Sequence, residues 1–288
     1  MSSDTAIEWT DATWNPVRGC SRVSEGCRNC YAERVAARFS GPGMPYEGLA
    51  TIGKNGPRWT GEVRFVGEHL ADPLRWRKPR RIFVNSMSDL FHESLDPDQI
   101  AMVWAVMALA PRHTFQVLTK RAARAREVLG HPGFYDRVLK CAGLLRQKRP
   151  DLLQVGISNP ATFPARWIWV GVSVENQWAA NERIPHLLET PAAIRFLSVE
   201  PMLGPIDFRE VPGFNRVGLD LSNWWVICGG ESGPGARPMK PEWVWPLRDQ
   251  CRNARVPFFF KQWGGTNKKA AGRKLDGRTW DEMPRVSP

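Results

Sequence analysis

Short apolar runs rich in β-branched and aromatic residues alternate along the chain with stretches of helical periodicity. Such runs, bounded by polar or glycine-containing segments, are typical of buried strands, and their alternation with helices predicts βα units and a parallel sheet. We expect strands at 13–17, 81–87, 113–119, 167–174, 194–199, 224–228 and 256–261. Helices are predicted at 31–39, 97–109, from about 121, at 177–188 and at 242–253, with Asp96 as an N-cap and Pro97 at the first helical position.

This order of elements predicts an α/β fold, specifically a partial (β/α)6-type barrel with a cysteine-containing loop near its N-terminus and irregular insertions. The insertions are expected at about 41–80, which is rich in glycine and proline, and at about 131–166. A basic tail is expected at about 264–288, and residues 1–288 are interpreted as a single domain.

Nearly every predicted strand ends in polar side chains that are capable of chemistry. In a barrel, complete or partial, the carboxyl ends of the strands converge on one face, where active sites are built. The phrases SVEN, SVEP and GGES each place a glutamate just beyond an apolar strand. Taken singly, such residues can equally cap a helix or end a strand; together they favour a shared polar cavity. These residues are Asn85, Ser86, Asp89, Lys120, Glu175, Glu200, Glu231, Lys261 and Gln262.

The 288 residues carry a formal net charge of +11 and are 42% apolar, enough to bury a full core. No apolar run approaches the roughly 20 residues of a membrane-spanning helix, so a soluble, cytoplasmic protein without a membrane partner is expected. Positive charge is concentrated in 75–81, 121–149 and 268–278. Such clusters suit a polyanion such as nucleic acid, and a solvated basic surface is the alternative interpretation.

Three of the six cysteines fall within eleven residues, as Cys20, Cys27 and Cys30 in a C-x6-C-x2-C pattern on a predicted loop. Clustered thiols of this kind more often bind a metal or do redox chemistry than form a disulfide framework. Three thiolates can ligate three irons of a [4Fe–4S] cluster and leave the fourth iron open. A structural zinc site is the alternative, and it would need a fourth ligand from a distance, such as a histidine or one of Cys141, Cys228 and Cys251.

The segment TWNPVRGC followed by GCRNCYAERVAARF resembles the cysteine loop of radical S-adenosylmethionine enzymes, and more distantly that of spore photoproduct lyase-like proteins. Nearly the whole chain resembles an uncharacterised phage and bacterial family of radical S-adenosylmethionine type. The blocks that carry this resemblance are IEWTDATWNP, VNSMSDLFHE, QVLTKR, WVGVSVENQ, FLSVEPMLGP, GGESGPGARPM and FFKQWG.

The resemblance implies that Cys20, Cys27 and Cys30 hold the [4Fe–4S] cluster and that its open iron binds S-adenosylmethionine. An electron donor such as flavodoxin or ferredoxin would drive cleavage to methionine and a 5′-deoxyadenosyl radical, which takes a hydrogen from the substrate. Cofactor-binding roles are then predicted for strand-end and loop residues, and substrate or catalytic roles for a second group. The first group is Tyr31, Asn85, Ser86, Asp89, Lys120 and Glu175, and the second is Glu200, Glu231, Lys261 and Gln262.

Two features depart from the superfamily pattern. Its commonest first gap is three residues rather than six, and the position before the third cysteine, often aromatic there, is Asn29, with Tyr31 just after the cysteine. The superfamily's Gly-Gly-Glu stretch usually lies near the second strand, whereas here it is Gly229–Glu231 near a late strand.

The similarity to lyases of DNA photoproducts, together with the basic charge, favours a DNA or RNA base as the substrate, for repair or modification. The target nucleotide would be flipped into the strand-end cavity. The alternative from another class is a non-enzymatic nucleic-acid-binding protein stabilised by zinc or by a cluster.

Overall fold

The structure is a computed structural model that describes residues 5–54, 56–148, 163–214 and 219–284. Within these residues the strands are β1 (Ala12–Trp14), β2 (Val17–Arg18), β3 (Ala50–Gly53), β4 (Gly56–Trp59), β5 (Arg64–Phe65), β6 (Arg81–Val84), β7 (Thr114–Thr119), β8 (Ile168–Ser173), β9 (Ile194–Val199), β10 (Trp224–Gly229) and β11 (Phe258–Gln262). The helices are α1 (Tyr31–Arg38), α2 (Asp72–Arg75), α3 (Pro97–Ala108), α4 (Ala122–Gly130), α5 (Phe134–Lys148), α6 (Gln177–Glu189), α7 (Pro241–Asn253) and α8 (Lys268–Ala271).

The main sheet of the described residues has seven strands in the order β1-β6-β7-β8-β9-β10-β11. Every neighbouring pair in it is parallel, and from β6 onward each strand lies beside the next one along the chain. A parallel sheet that adds strands in one direction curls into part of a barrel because its twist accumulates from strand to strand. The predicted partial barrel is therefore confirmed.

Side chains that alternate along each strand fill two separate apolar clusters. The inner face of the curl is packed with the aromatic and branched side chains of Trp9, Phe83, Trp169, Ile194, Phe196, Trp225, Ile227 and Phe259. The outer face joins the core beneath the helices through side chains such as Val172, Val199 and Phe260. Because strand side chains alternate with a period of two, Phe196, Ser198 and Glu200 lie on one face.

The same period explains the recurring Ser-Val-Glu pattern. At the end of β9, Ser198 and Glu200 face inward while Val199 belongs to the outer core. At the end of β8, Val174 lies in the outer core and Ser173 lines the interior. In both strands a valine of the outer core thus lies next to an inward-facing serine at the carboxyl edge of the sheet, where the inner face becomes polar.

Helices cover the outer face, with α3 packed on α5 and α4 on α6. The predicted start of α3 is confirmed, because the Asp96 side chain accepts from Asp98 N while Gln99 bonds back to the Asp96 N–H, and Pro97 occupies the first turn. Within the described residues, no helix is long and apolar enough to cross a membrane.

A small lobe is built on α1 and the antiparallel β3–β4 hairpin. Its own apolar cluster is formed by Ala36, Ala37, Tyr46, Leu49 and Ala50, with Trp59 and Met87 packed against it. Residues 41–80 thus contain a hairpin, the β5 strand that pairs with β2, and the short helix α2. Of the second predicted insertion, α5 occupies residues 134–148, and residues 149–162 lie outside the described residues.

Two predicted strands differ from the structure. The first was expected as one strand at 13–17, but it is divided into β1 in the main sheet and β2, which pairs with β5. Pro16 lies at this division and cannot donate a hydrogen bond to a ladder. The second was expected to run to Met87 but ends at Val84, because Asn85 adopts a left-handed backbone conformation with φ of 58°.

Candidate functional site

The three clustered cysteines lie on a loop above the carboxyl edge of the main sheet. Cys20 follows β2, Cys27 ends a single 3-10 turn (Glu25–Cys27), and Cys30 is the residue before α1. All three are free thiols of intermediate burial, and they line a cavity of about 470 Å³. This volume is within the usual range for a small-molecule site.

The surroundings of two of these thiols disfavour the free thiolate. Burial raises the pKa of Cys20 to about 12, with Asp89 adding to the shift and Arg121 opposing it. Burial also raises the pKa of Cys30. A metal that binds these sulfurs has to displace their protons, so metal binding here is coupled to proton release.

The cavity gathers almost all of the residues that the sequence singled out. Besides the cysteines, it is lined by Tyr31, Asn85, Ser86, Asp89, Lys120, Glu200, Glu231, Lys261 and Gln262. Glu175 is the exception: its side chain lies below the cavity wall, only 2% exposed. The convergence of strand ends expected from the βα pattern is therefore what the structure shows, whereas the roles of the individual residues stay predictions.

Glu175 anchors the cysteine loop from beneath. Its carboxylate pairs with Lys120 and, at 3.0 Å, with Arg183, and it accepts from Ser24 Oγ at 2.9 Å. Burial by itself would raise the pKa of Glu175, but Lys120 and Arg183 together hold it below its usual value. A Cβ on Gly26 would lie 2.3 Å from Glu175 Oε1, so glycine is required where the loop crosses this carboxylate.

Each of the other two recurring glutamates is also paired. Glu200 accepts from Lys261 Nζ at 2.6 Å. Glu231 pairs with Arg237 at 2.7 Å and accepts from Asn29 Nδ2 at 2.9 Å. Asn29, the residue that departs from the superfamily pattern, thus ties the cysteine loop to the Gly-Gly-Glu segment. Sequence reasoning did not identify Arg183 or Arg237, because nothing local marks the partner of a carboxylate that is distant along the chain.

A second network surrounds Asp89 and Arg121. Asp89 accepts from Thr119 Oγ1 at 2.7 Å and from the backbone of Lys120 at 3.1 Å, and it pairs with Arg121 at 3.2 Å. Arg121 also donates to Ser21 Oγ at 2.7 Å and lies 3.9 Å from Cys20 Sγ. This guanidinium, expected only as part of a basic helix, is therefore a buried contact of the cysteine loop.

Tyr31, Asn85 and Ser86 lie together on the other side of the cysteine loop. Tyr31 Oη donates to Ser86 O at 2.6 Å and so links α1 to the turn after β6. Asn85 is 2% exposed, and neither polar atom of its side chain has a hydrogen-bond partner in the structure.

The described histidine, cysteine, aspartate and glutamate side chains form no group of three or more that could surround a single metal ion. The three thiols therefore share a cavity without converging on one point. Cys141, Cys228 and Cys251 are buried in the outer core and supply no fourth ligand to the cavity. In a cubane cluster, by contrast, each cysteine binds a different iron, so the sulfurs need not meet at one centre.

The predicted basic clusters do not share one face of the protein. Residues 75–81 lead into β6 and so lie at the amino-terminal edge of the sheet, opposite the cavity. In 121–149, Arg121 is buried, Arg126 pairs with Glu189 and Arg137 pairs with Asp98. Nucleic-acid binding by these clusters stays a prediction.

The family model described as "Protein of unknown function (DUF5131)" matches residues 4–284. No curated protein matches the chain. Among solved structures, the chain is similar to a cysteine-to-serine mutant of spore photoproduct lyase, with a TM-score of 0.41 and 13% identity over 80% of this chain. The match spans 58% of that protein's length.

Proposed function

The chain belongs to the DUF5131 family, and we propose that it is a radical S-adenosylmethionine enzyme whose [4Fe–4S] cluster is held by Cys20, Cys27 and Cys30. The observation that carries this proposal is the position of the three thiols. All three lie on one loop at the carboxyl edge of a partial parallel barrel, and they line a single cavity together with the strand-end polar residues.

The donor set suits the cluster. Thiolates are the usual ligands of iron–sulfur clusters, and three of them leave one iron free to bind a cosubstrate. When bound, the cluster would pass one electron from an external donor of the flavodoxin or ferredoxin class to S-adenosylmethionine, whose C–S cleavage yields methionine and a 5′-deoxyadenosyl radical that abstracts a substrate hydrogen. The protein's own part is to position the reactants and exclude water.

The residues around the thiols are suited to positioning the reactants. Lys120 is held by Glu175, Tyr31 Oη donates to the backbone carbonyl of Ser86, and Ser86 Oγ donates to Asn15 Oδ1. These side chains therefore have partners before any ligand binds. We assign S-adenosylmethionine to these groups together with Asp89. Glu175 would act indirectly, because it fixes Lys120 and the loop at Gly26.

The apolar interior excludes water below this layer. Trp9, Phe83 and Leu118 lie at the cavity wall where the inner aromatic cluster begins. A reactive radical is protected from side reactions when its surroundings are dry. The Glu200–Lys261 pair and Glu231 with Gln262 line the same cavity, and we assign them to the substrate.

For the substrate we propose a nucleic-acid base that is acted on in repair or modification. The net charge of +11 supports attraction to a polyanion, and a cavity reached from the loop side suits a base that has left its stack. The segment 75–81, at the opposite edge, would contribute long-range attraction rather than contacts to the flipped nucleotide.

A structural zinc site remains the competing function, since it would make the chain a non-enzymatic binding protein. Zinc in structural sites takes four ligands around one ion. Among the described residues, Cys141, Cys228 and Cys251 are buried in the outer core and do not line the cavity, so these cysteines offer no fourth ligand for zinc.

Metal and sulfide analysis tests the proposal. Chain purified without oxygen and incubated with iron and sulfide is expected to bind about four irons and four acid-labile sulfides, as a cubane requires. Cys27→Ala should lose most of this cluster, whereas Cys141→Ala, which changes a thiol of the outer core, should keep it. Tightly bound zinc without sulfide, or equal iron and sulfide in Cys27→Ala, would refute the assignment.

A further inference from the structure

The cations that line the cavity are already neutralised by carboxylates. Lys120 is paired with Glu175, Arg121 with Asp89, and Lys261 with Glu200. Arg22, the remaining lysine or arginine in the described lining, is paired with Glu33. An anion such as phosphate that entered the cavity would have to compete with these carboxylates. The interior is therefore not built to hold a phosphate.

Several polar atoms of the same cavity have no hydrogen-bond partner among the residues that the structure describes. Trp9 Nε1, both side-chain polar atoms of Asn85 and Gln262 Oε1 are buried without a hydrogen bond, and the three residues are no more than 3% exposed. Buried polar atoms are costly unless they are satisfied, so an unpaired set that lines a cavity indicates a ligand that completes it.

These unpaired atoms include both donors and acceptors. The indole N–H and the Asn85 amide N–H donate, while the Asn85 and Gln262 carbonyl oxygens accept. Such a set matches neither a carboxylate or phosphate, which only accepts, nor an aliphatic chain. It matches a neutral group that carries donors and acceptors on one edge.

The walls next to these atoms are aromatic and apolar. The rings of Trp9 and Phe83 lie with their centroids 4.8 Å apart, and both line the cavity with Leu118. Asn85 lies in the turn that ends β6, two residues after Phe83, and its side chain lines the same cavity as this ring. A flat heteroaromatic ligand can contact such rings while its edge meets the amide.

We propose that Trp9, Asn85 and Gln262 form a recognition site for the edge of an uncharged nucleobase. The inference rests on the proposed function in that it identifies the base-reading residues of the same cavity. It adds that the base, rather than its phosphate, is recognised inside the cavity.

A nucleobase edge can come from the substrate or from the adenine of S-adenosylmethionine. We assign the site to the substrate because Trp9 packs in the inner aromatic cluster, deeper in the curl of the sheet than the cysteine loop at its carboxyl edge. The two sources make different predictions for binding of free ligands.

The test uses the full chain free of metal, so that its outcome does not depend on cluster assembly. Adenosine, guanosine, cytidine, thymidine, ribose 5-phosphate and S-adenosylmethionine are each titrated by calorimetry. At least one nucleoside is expected to bind with a dissociation constant below about 1 mM. Ribose 5-phosphate, which lacks a base, should bind at least about tenfold more weakly.

Asn85→Asp keeps the shape and tolerates the left-handed backbone but removes the amide donor. This variant should lower the affinity for the preferred nucleoside about tenfold or more. Trp9→Phe, which removes only the indole N–H from the set, should lower the same affinity. Asn181→Asp is the matched control, since Asn181 is exposed on α6 and bonds only to Gln177 in the structure. Its binding should equal that of the unmodified chain.

Three results would overturn the inference. The first is that no nucleoside binds. The second is that ribose 5-phosphate binds as tightly as the nucleosides, and the third is that folded Asn85→Asp and Trp9→Phe bind the nucleoside as the unmodified chain does. Binding of S-adenosylmethionine alone, lost in Asn85→Asp, would assign the site to the cosubstrate and overturn the substrate assignment. None of these results bears on iron and sulfide content, so the proposed function is tested separately.

Discussion

Arg121 illustrates how a residue that looks like surface charge in the sequence becomes part of the interior. Its side chain is 4% exposed, and the guanidinium contacts Asp89, Glu93 and the hydroxyl of Ser21. The sequence predicted a basic helix from about residue 121, but it could not predict that the first arginine of this segment is buried. The carboxylates that hold it lie about 30 residues away in sequence, and only the packing of the β6 and β7 loops brings them together.

Loss of this guanidinium should be strongly destabilising. Arg121→Gln leaves the buried Asp89 carboxylate without its cation, and breaking such a pair typically costs about 3–5 kcal/mol in the free energy of unfolding. Arg126→Gln, which breaks an exposed pair between α4 and Glu189 at the end of α6, should cost about 1 kcal/mol or less. Urea denaturation of both variants measures the difference, and equal losses would show that Arg121 is not an interior residue.

Glu175 predicts a pH dependence with a definite sign. Burial opposes its charged form, but Lys120 and Arg183 outweigh burial and keep its pKa in the folded chain below the ordinary value of 4.5. The carboxylate therefore stabilises the fold above pH 4.5, and this contribution is lost as the pH falls through the lowered pKa.

Urea midpoints measured between pH 7 and pH 3 test this. The gap in stability between the unmodified chain and Glu175→Gln should be largest near neutral pH and should shrink toward pH 3. A constant gap across the range would mean that Glu175 does not titrate with a lowered pKa.

Among the secondary-structure elements, the periodicity of apolar residues and the glycine, proline and capping residues that bound each run predicted much of the fold. β9 has the predicted bounds, and the other main-sheet strands and the long helices differ from prediction mostly at their ends. The β3–β4 hairpin and the β2–β5 ladder were not predicted, since their short strands carry few buried residues and no alternation. Asn85 ended β6 early, and a left-handed asparagine has no signal that separates it from an ordinary strand residue.

The inner face of β8 leaves no room at Gly171. A Cβ there would lie 2.5 Å from the ring of Phe196 on β9. Gly171→Ala should therefore lower the free energy of unfolding by about 1–3 kcal/mol, as overpacking does. Gly143, inside α5, has no atom within 4 Å of an added Cβ. Gly143→Ala should instead stabilise by about 0.5–1 kcal/mol, and opposite signs in the two denaturation curves are the expected result.

For the whole molecule, the βα order predicted the barrel, and the barrel placed twelve of the thirteen candidate residues around one cavity. What the sequence could not supply was the pairing within that cavity. Lys261 with Glu200 and Arg237 with Glu231 follow from strand order and register, which composition does not encode.

The distribution of charge makes a prediction about nucleic acid. Arg28 is exposed on the cysteine loop, between Cys27 and Asn29, which line the cavity, whereas Lys78 is exposed at the opposite edge of the sheet. If a single strand of nucleic acid enters the cavity, Arg28→Glu should weaken binding of a single-stranded oligonucleotide. The salt dependence of that binding should fall by about one released counterion. Lys78→Glu should change both much less, and equal effects of the two variants would argue for non-specific attraction.

The fate of S-adenosylmethionine tests the proposed radical chemistry. The reconstituted chain, reduced without oxygen in the presence of S-adenosylmethionine, is analysed for 5′-deoxyadenosine by chromatography. We expect the unmodified chain and Cys141→Ala to form 5′-deoxyadenosine and Cys20→Ala, Cys27→Ala and Cys30→Ala not to form it. No 5′-deoxyadenosine from a chain with a full complement of iron and sulfide, or equal amounts from the cysteine-loop variants, would contradict the proposed radical chemistry.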